Sequence, residues 1–534
     1  MNRPPSSLSV FVASFLLVSA VSAADLCQGL VQDKSAHAQT SLAKPAVGQA
    51  VRDPQFGTTI KRVSAASGAT FAVRPLYSTI SAWNADESLM LLYHVNQGHA
   101  LYDGRTYRFL RLLPISPADI EQVYWHTTNP DLLFYPTART LVRYHVSTGA
   151  KDVVRTFEFC TGGVSAGSDP MFSSWTSNVF GLQCDGWAFL YDVARNQVSR
   201  TASASQGAPQ PSASGTLAFQ RGNVVDAAMR FQRRLDLDNP LDHSSQGRLA
   251  TGHDTYNTVA YDPGPSGSGV GSLVTFDMAT GRSGVIVGPA TGFPYPPTGT
   301  HISSVAYRSP GWSFLSIQGA HTGQDVLDGE IVIADTNSGR VCRAGHHRSF
   351  GRDNTRIADA YWAEPHVVPS PSGTRALFAS DWGNGSTVDA YVLELPAHSS
   401  LALSVTVNQP SYRTGQVERA GLSISNPGLA QTVDLLLLDL LPDGDQVRAM
   451  TPTGFKAGRL SQPATLGILN ARLDLRTRFV AGPVDWYSYT WTGTEARGLR
   501  YWVLAAVKAG SLADGRFDPG DVLASSAVPY GFTP

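Results

Sequence analysis

The chain has 534 residues, 42% of them hydrophobic and only 16% charged, with a formal net charge of −1 and four cysteines. The length predicts two domains rather than one, and the 50 glycines and 33 prolines beside many aromatics predict short strands and turns. With no clustered positive field to neutralise phosphates, nucleic-acid binding is excluded from the expected functions.

The N-terminus, "MNRPPSSLSVFVASFLLVSAVSAADLC", has Arg3, then an apolar stretch from Leu8 to Ser22, then small residues Val21 and Ala23 at the −3 and −1 places. This predicts a signal peptide over 1–23, cleaved after Ala23, and a secreted or periplasmic protein. The stretch is too short and serine-rich for a membrane helix and no other segment is long enough, so no integral membrane segment is expected. In an oxidising compartment Cys27, Cys160, Cys184 and Cys342 allow two disulfides in three pairings. Cys160–Cys184 is the favoured pair, because both residues end strands in neighbouring units; buried free thiols are the alternative.

Residues 24–55 are polar and aperiodic, which predicts a linker or a loosely docked arm. From 56 to 396 one pattern recurs: a turn, an apolar strand, a second strand ending in an apolar–aromatic–Asp element, then a "TG" or "SG" turn. Clear copies are "NPDLLFYPTARTLVRYHVSTGAKDVVRTF", "VFGLQCDGWAFLYDVARNQVSRT" and "PSPSGTRALFASDWGNGSTVDAYVLELP". A spacing of roughly 40 to 50 residues with about four strands per unit is the signature of a β-propeller, here of seven blades. A stacked solenoid is the structural alternative. The last unit, 364–396, lacks an outer strand, and "FGTTIKRVSAA" (56–66) is expected to supply it and close the ring, removing sheet edges. Residues 400–534 alternate apolar and polar positions without the blade period. Their strands, broken by Asn-Pro-Gly and Pro-Asp-Gly, predict an immunoglobulin-like β-sandwich. Trp486, Trp491 and Trp502 there are candidates for a sugar-binding face, although aromatics in a sandwich more often pack in its core. The fold class is thus all-β: a seven-bladed propeller followed by a sandwich.

Two local motifs carry little. "GVSAG" around Ser165 matches a nucleophile pattern that works only on a strained strand-to-helix turn, and here it lies in a Gly/Ser-rich loop. Asp236, Asp238, Asn239 and Asp242 offer alternate oxygens for calcium, but lack the glycine at the sixth place and the glutamate at the twelfth.

The histidines carry more. In a propeller the innermost strand of each blade lines the axis, so the residues just before it gather at one mouth. Glu364 and His366 precede the inner strand of blade seven, and His301 that of blade six. The same alignment assigns His253 and Asp254 to blade five, Asp169 to blade three and His126 to blade two. His346, His347 and Arg348 lie in the connection into blade seven, and His243 and Arg248 in that into blade five. Imidazoles and carboxylates converging in one funnel suit a metal site, and equally acid–base chemistry near neutral pH. Any one of these histidines alone would more often be structural.

With its exported propeller, the "SPSGTRALFASDW" blade type and a histidine before the inner strand of late blades, the sequence resembles the secreted seven-bladed polysaccharide lyases, the oligogalacturonate lyases and some ulvan lyases among them. The blade type also resembles periplasmic binding-protein propellers. The resemblance spans about 56–396 and implies a divalent metal, manganese, calcium or zinc, held by His301, His347, Glu364 and His366, with no nucleotide cofactor. Glu364 departs from a family glutamine, and Val368 stands where a further histidine belongs, with His346 or His347 as its substitute. The resemblance further implies β-elimination on a uronate, with His243 as base and Arg248 steadying the carboxylate, and with His253 and Tyr256 as competitors. The expected substrate is an acidic polysaccharide or oligosaccharide and the expected state a monomer. A non-catalytic extracellular binding or scaffold propeller is the alternative function.

Overall fold

A computed structural model of the chain describes residues 25–533 apart from 168–171, 238, 241, 261–270, 295–299, 397, 399–400, 427–430, 477–478, 496 and 518–520. The signal-peptide expectation lies outside the described residues. Contacts divide the chain into two compact units, Asp25–Leu395 and Pro396–Pro534. No helix among the described residues is long and apolar enough to cross a membrane.

The first unit is a ring of seven antiparallel sheets. Blade 1 runs Val73–Arg74, Leu89–His94, Gly98–Asp103 and Phe109–Leu112, and each later blade repeats this up-and-down order. Blade 3 has an irregular inner edge, where Ser173 bridges Phe180 in place of a full strand. Alternation explains the packing. The middle strands, such as Leu132–Thr137 and Arg375–Ser380, are buried nearly throughout because a neighbouring blade covers each face. Outer strands such as Phe109–Leu112 are largely exposed.

Ring closure follows the sequence expectation. Thr59–Arg62 pairs antiparallel with Asp389–Glu394, so the start of the unit supplies the outer strand of blade 7, and Ala50–Arg52 adds a fifth. Buried Asp389 fixes this joint, 2.6 Å from Lys44 and 2.9 Å from Arg62. The polar stretch before it is an anchored arm, not a free linker. Cys27 is disulfide-bonded to Cys342, Val31 bridges Arg343, and Arg343 pairs with Asp33 at 3.0 Å and with buried Glu330. Cys160 bonds Cys184, the pair favoured from the sequence.

The axis of the ring is filled. Residues 75–82 leave the blade 1 ladder between the Arg74↔Tyr93 and Trp83↔Met90 pairs. Leu76, Tyr77 and Ile80 from this segment join Tyr124 and Phe172 in one buried cluster. Gln246 of blade 5 donates across the axis to the Ser173 carbonyl at 2.9 Å.

The second unit is a two-sheet sandwich. Ala402–Val407, Val417–Asn426 and Phe479–Thr490 form one sheet; the other has seven strands around Gln431–Leu440 and Gly498–Lys508. Both sheets contribute to a core that holds Trp491 and Trp502, at 1% and 0% exposure, and Trp486 packs half-buried against it. The tryptophans considered for a sugar-binding face are therefore packing residues. Trp502 also donates to buried Glu418 at 2.5 Å, and burial pushes that carboxyl up to about 6.

Candidate functional site

Each inner strand begins at the same mouth of the ring, so residues at those starts converge whatever their distance in sequence. His301 opens the inner strand of blade 6, His301–Ser303. Glu364 and His366 precede that of blade 7, Val368–Pro369. His243 precedes that of blade 5, Ser244–Arg248. The chain approaches Glu364 through a short 3-10 turn, Ala360–Ala363, capped by the Asp359 side chain. His366 adopts φ +43, a left-handed backbone that is strained for a non-glycine residue and aims its ring inward.

His301, Glu364 and His366 are 1%, 0% and 0% exposed and bring one donor atom each within 4.8 Å of the others. Glu364 Oε2 lies 3.5 Å from His301 Nε2 and 3.3 Å from His366 Nε2. Donors held about 2.1 Å from one ion sit roughly 3.0–3.5 Å apart, so these separations suit a shared cation. Glu364 Oε2 is buried and has no hydrogen-bond partner, whereas Oε1 pairs with the Arg352 guanidinium, which orients the carboxylate. An orphaned carboxylate oxygen facing two imidazoles is costly unless something positive occupies the gap. The donor set therefore fits a divalent metal. Two imidazoles favour manganese or zinc over calcium, which takes oxygen ligands.

His243 stacks on His301, ring centroids 4.1 Å apart and 20° from parallel. Its Nδ1 is 2.8 Å from the Thr300 carbonyl, so in the neutral ring the proton sits on Nδ1 and Nε2 carries the lone pair. Tyr77 closes the inner side, its ring 5.7 Å from His301 and 5.0 Å from His366. Arg74 is buried, 3.5 Å from His366 Nε2, with its guanidinium over the rings of Tyr361 and Trp362 at 4.9 and 5.5 Å. Tyr361 donates to Glu121 at 2.7 Å; burial and that carboxylate push the phenol above its ordinary range. On the solvent side are half-buried His243 and the Arg352 side chain, 65% exposed.

The structure thus joins His301, Glu364, His366 and His243, and leaves the other candidates it describes elsewhere. His347 is not a donor to this trio: it is fully buried, its Nε2 faces the Ile317 carbonyl at 2.9 Å and its Nδ1 accepts from the Ser349 amide at 3.0 Å. With both nitrogens engaged and burial pushing its pKa down to about 3, it holds the loop. His346 likewise meets the His37 carbonyl at 2.9 Å. Arg248 ends the strand that follows His243, about 17 Å away at ~3.3 Å per residue. It bonds the Gly252 carbonyl at the opposite mouth. His253 occupies the same turn and pairs with Asp277 at 2.9 Å. Tyr256 lies in the second strand, Asp254–Ala260, stacked 3.7 Å from Phe219 in the blade core.

The physical reason is one slipped strand. "DTYNTVA" resembles an inner strand, but the Ser-rich run Ser244–Arg248 takes that place, and in an up-and-down blade a slip of one strand exchanges the two mouths. His126 follows its inner strand, Tyr124–Trp125, and so also lies at the opposite mouth. Asp169 and Asp238 fall outside the described residues. Ser165 bridges Gln183, and Asn239 donates its amide to Asp242 at 2.9 Å. Arg74, Tyr77, Arg352 and Tyr361 were not foreseen. Arg352 could have been found from its place in the long connection into blade 7, but Arg74 and Tyr77 sit in a segment with no histidine to mark it.

No family model matches the sequence and no curated protein matches it. Among solved structures, an oligogalacturonate lyase in complex with manganese is similar over 65% of this chain and 96% of its own, with TM-score 0.45 and 14% identity. An oligogalacturonate lyase from Vibrio parahaemolyticus is similar over the same shares, with TM-score 0.44 and 12% identity. The Pan2 WD40 domain of Neurospora crassa is similar over 59% of this chain and 88% of its own, with TM-score 0.39 and 13% identity. Likeness at this level assigns no activity.

Proposed function

We propose that the protein is an exported propeller lyase that cleaves an acidic, uronate-containing glycan by metal-assisted β-elimination. The observation that carries this reading is the buried His301–Glu364–His366 donor trio, with its orphaned Glu364 oxygen, directly beside His243. A divalent cation held there would supply positive charge to the uronate carboxylate, which makes the proton on the adjoining ring carbon acidic enough to remove. His243 then takes that proton on Nε2, a role suited to an imidazole near neutral pH. The electron pair forms the carbon–carbon double bond as the bond to the leaving glycosidic oxygen breaks, and that oxygen is protonated from solvent. Thr300 fixes the His243 tautomer throughout. Arg352, on the solvent side of the site, takes the place expected for Arg248 in meeting the substrate's negative charge.

One observation favours the non-catalytic binding propeller instead: the trio is 0–1% exposed, as a purely structural ion site would be. The decisive experiment offers pectate, alginate and ulvan to the protein with and without added manganese, zinc or calcium, and follows ultraviolet absorbance of the unsaturated product. A metal-dependent rise that disappears in His243→Ala supports the lyase. No rise on any uronate polymer under any of these conditions would sink it.

A further inference from the structure

Next to the donor trio lies an aromatic pair that the elimination chemistry does not use. Trp362, two residues before Glu364, and Tyr93, near the end of the second strand of blade 1, are parallel to within 17° at a centroid distance of 6.0 Å. Both are half-buried. Their inner sides pack against Ala72, Val95, Ile357 and Ala363. Arg74 joins the pair to the trio, since its guanidinium lies over Trp362 and also reaches His366. The aromatic pair and the metal donors are therefore separated by the width of one guanidinium group.

Trp83, Trp125 and Trp382 donate to the carbonyls of Gly104, Ala82 and Leu42 at 3.0, 2.9 and 2.9 Å. The Trp362 indole N–H is unpartnered among the described residues, as are those of Trp175, Trp486 and Trp491, but unlike theirs it is not enclosed. Trp362, edge-on to Tyr361 and with Arg74 over its ring, is half-buried with an unused donor at its edge, beside a site proposed to handle a sugar acid. A pyranose has the matching chemistry, with an apolar C–H face and hydroxyl oxygens that accept.

We propose that Trp362 and Tyr93 form a saccharide-stacking subsite that receives a sugar unit beyond the two joined by the scissile bond, so that the preferred ligand is a glycan longer than a dimer. This rests on the proposed function for the site beside it. Trp362 acts as a positioning residue: it contacts that sugar and sets which units reach His243.

The test compares wild type, Trp362→Ala and Trp362→Phe on dimers and hexamers prepared from pectate, alginate and ulvan. On the hexamer that wild type cleaves, Trp362→Ala should raise KM about tenfold with kcat unchanged, because the lost contact is uniform binding remote from the reacting bond. Dimer kinetics and manganese affinity should not move, and Trp362→Phe should restore most of the hexamer KM. Equal losses on dimer and hexamer, or no loss on either, would overturn the subsite. If wild type cleaves none of them, calorimetric binding of the same hexamers separates the two ideas. Wild-type binding that is lost in Trp362→Ala upholds the subsite while the lyase reading falls, and absence of wild-type binding overturns the subsite as well.

Discussion

Removing the Cys27–Cys342 bond should cost the propeller more than removing Cys160–Cys184, although both pairs are buried. The first closes a loop of 315 residues and the second one of 24. Chain-entropy arguments put their contributions at about 5–6 and about 3.5 kcal/mol at 25 °C, both upper limits. The structure adds a reason for the larger figure to survive. Cys27 pins the arm that continues into Thr59–Arg62, the strand that closes the ring on Asp389–Glu394, so its release frees the joint as well as the chain. The cysteines themselves are 0–5% exposed, so the penalty for burying serine hydroxyls in their place is similar in the two cases and cancels in the comparison. The assay is differential scanning calorimetry of the Cys27→Ser/Cys342→Ser and Cys160→Ser/Cys184→Ser double variants. Double variants leave no odd thiol, and the transition of the sandwich, which contains no cysteine, is an internal reference. A propeller transition lowered as much or more by loss of Cys160–Cys184 would refute the reasoning.

Other outcomes follow from the same structure. Burial lowers the His347 pKa from 6.5 to about 3, so the unfolded chain takes up a proton that the folded one refuses. The stability this group contributes is complete above pH 6.5 and declines as pH falls toward 3, by at most about 1.4 kcal/mol per pH unit. Urea titrations across that window should show a shallower acid loss in His347→Gln, and an unchanged slope would contradict the burial argument. A Cβ at Gly181 would lie 1.6 Å from the Pro209 carbonyl oxygen, so Gly181→Ala forces blades 3 and 4 apart and should cost about 2–4 kcal/mol in denaturant unfolding. A wild-type midpoint in that variant would show the blades to be more compliant than drawn. Glu364→Gln removes the anionic donor, and the Arg352 guanidinium, on a side chain 65% exposed, can be solvated in its place. Manganese affinity of chelator-stripped protein should then fall more than about tenfold with little change in Tm. Undiminished affinity by calorimetry would place the ion elsewhere.

Much of the fold was legible because its signals are local. Turn chemistry, strand alternation and the 40-to-50-residue period each repeat along the chain, so seven copies reinforce one another even where a single copy is faint. The unpaired last blade and the spare strand at 56–66 also matched as a deficit and a surplus, and antiparallel pairing of Thr59–Arg62 with Asp389–Glu394 completes the ring. Site residues were legible only where the strand register was unambiguous. "SPSGTRALFASDW" fixes blade 7, and His301 directly opens the inner strand of blade 6, so His301, Glu364 and His366 could be gathered from the sequence. In blade 5 two successive strand-like runs compete for the inner position. Choosing the more apolar "DTYNTVA" over Ser244–Arg248 carried His253 to the wrong mouth, and Tyr256 into what is in fact a blade core.

Composition, period and turn residues alone determined that this chain is all-β, that it forms a ring of blades followed by a sandwich, and that late blades bring histidines toward the axis. Those features depend on neighbours within a few residues or on exact repetition of them. Tertiary structure alone decided that His347 spends both nitrogens on its own loop, that Arg74 links His366 to Trp362, and that Glu364 keeps one oxygen without a partner. These depend on side chains from blades 1, 6 and 7 meeting in space, and nothing in a linear sequence records which nitrogen or oxygen a fold leaves unused.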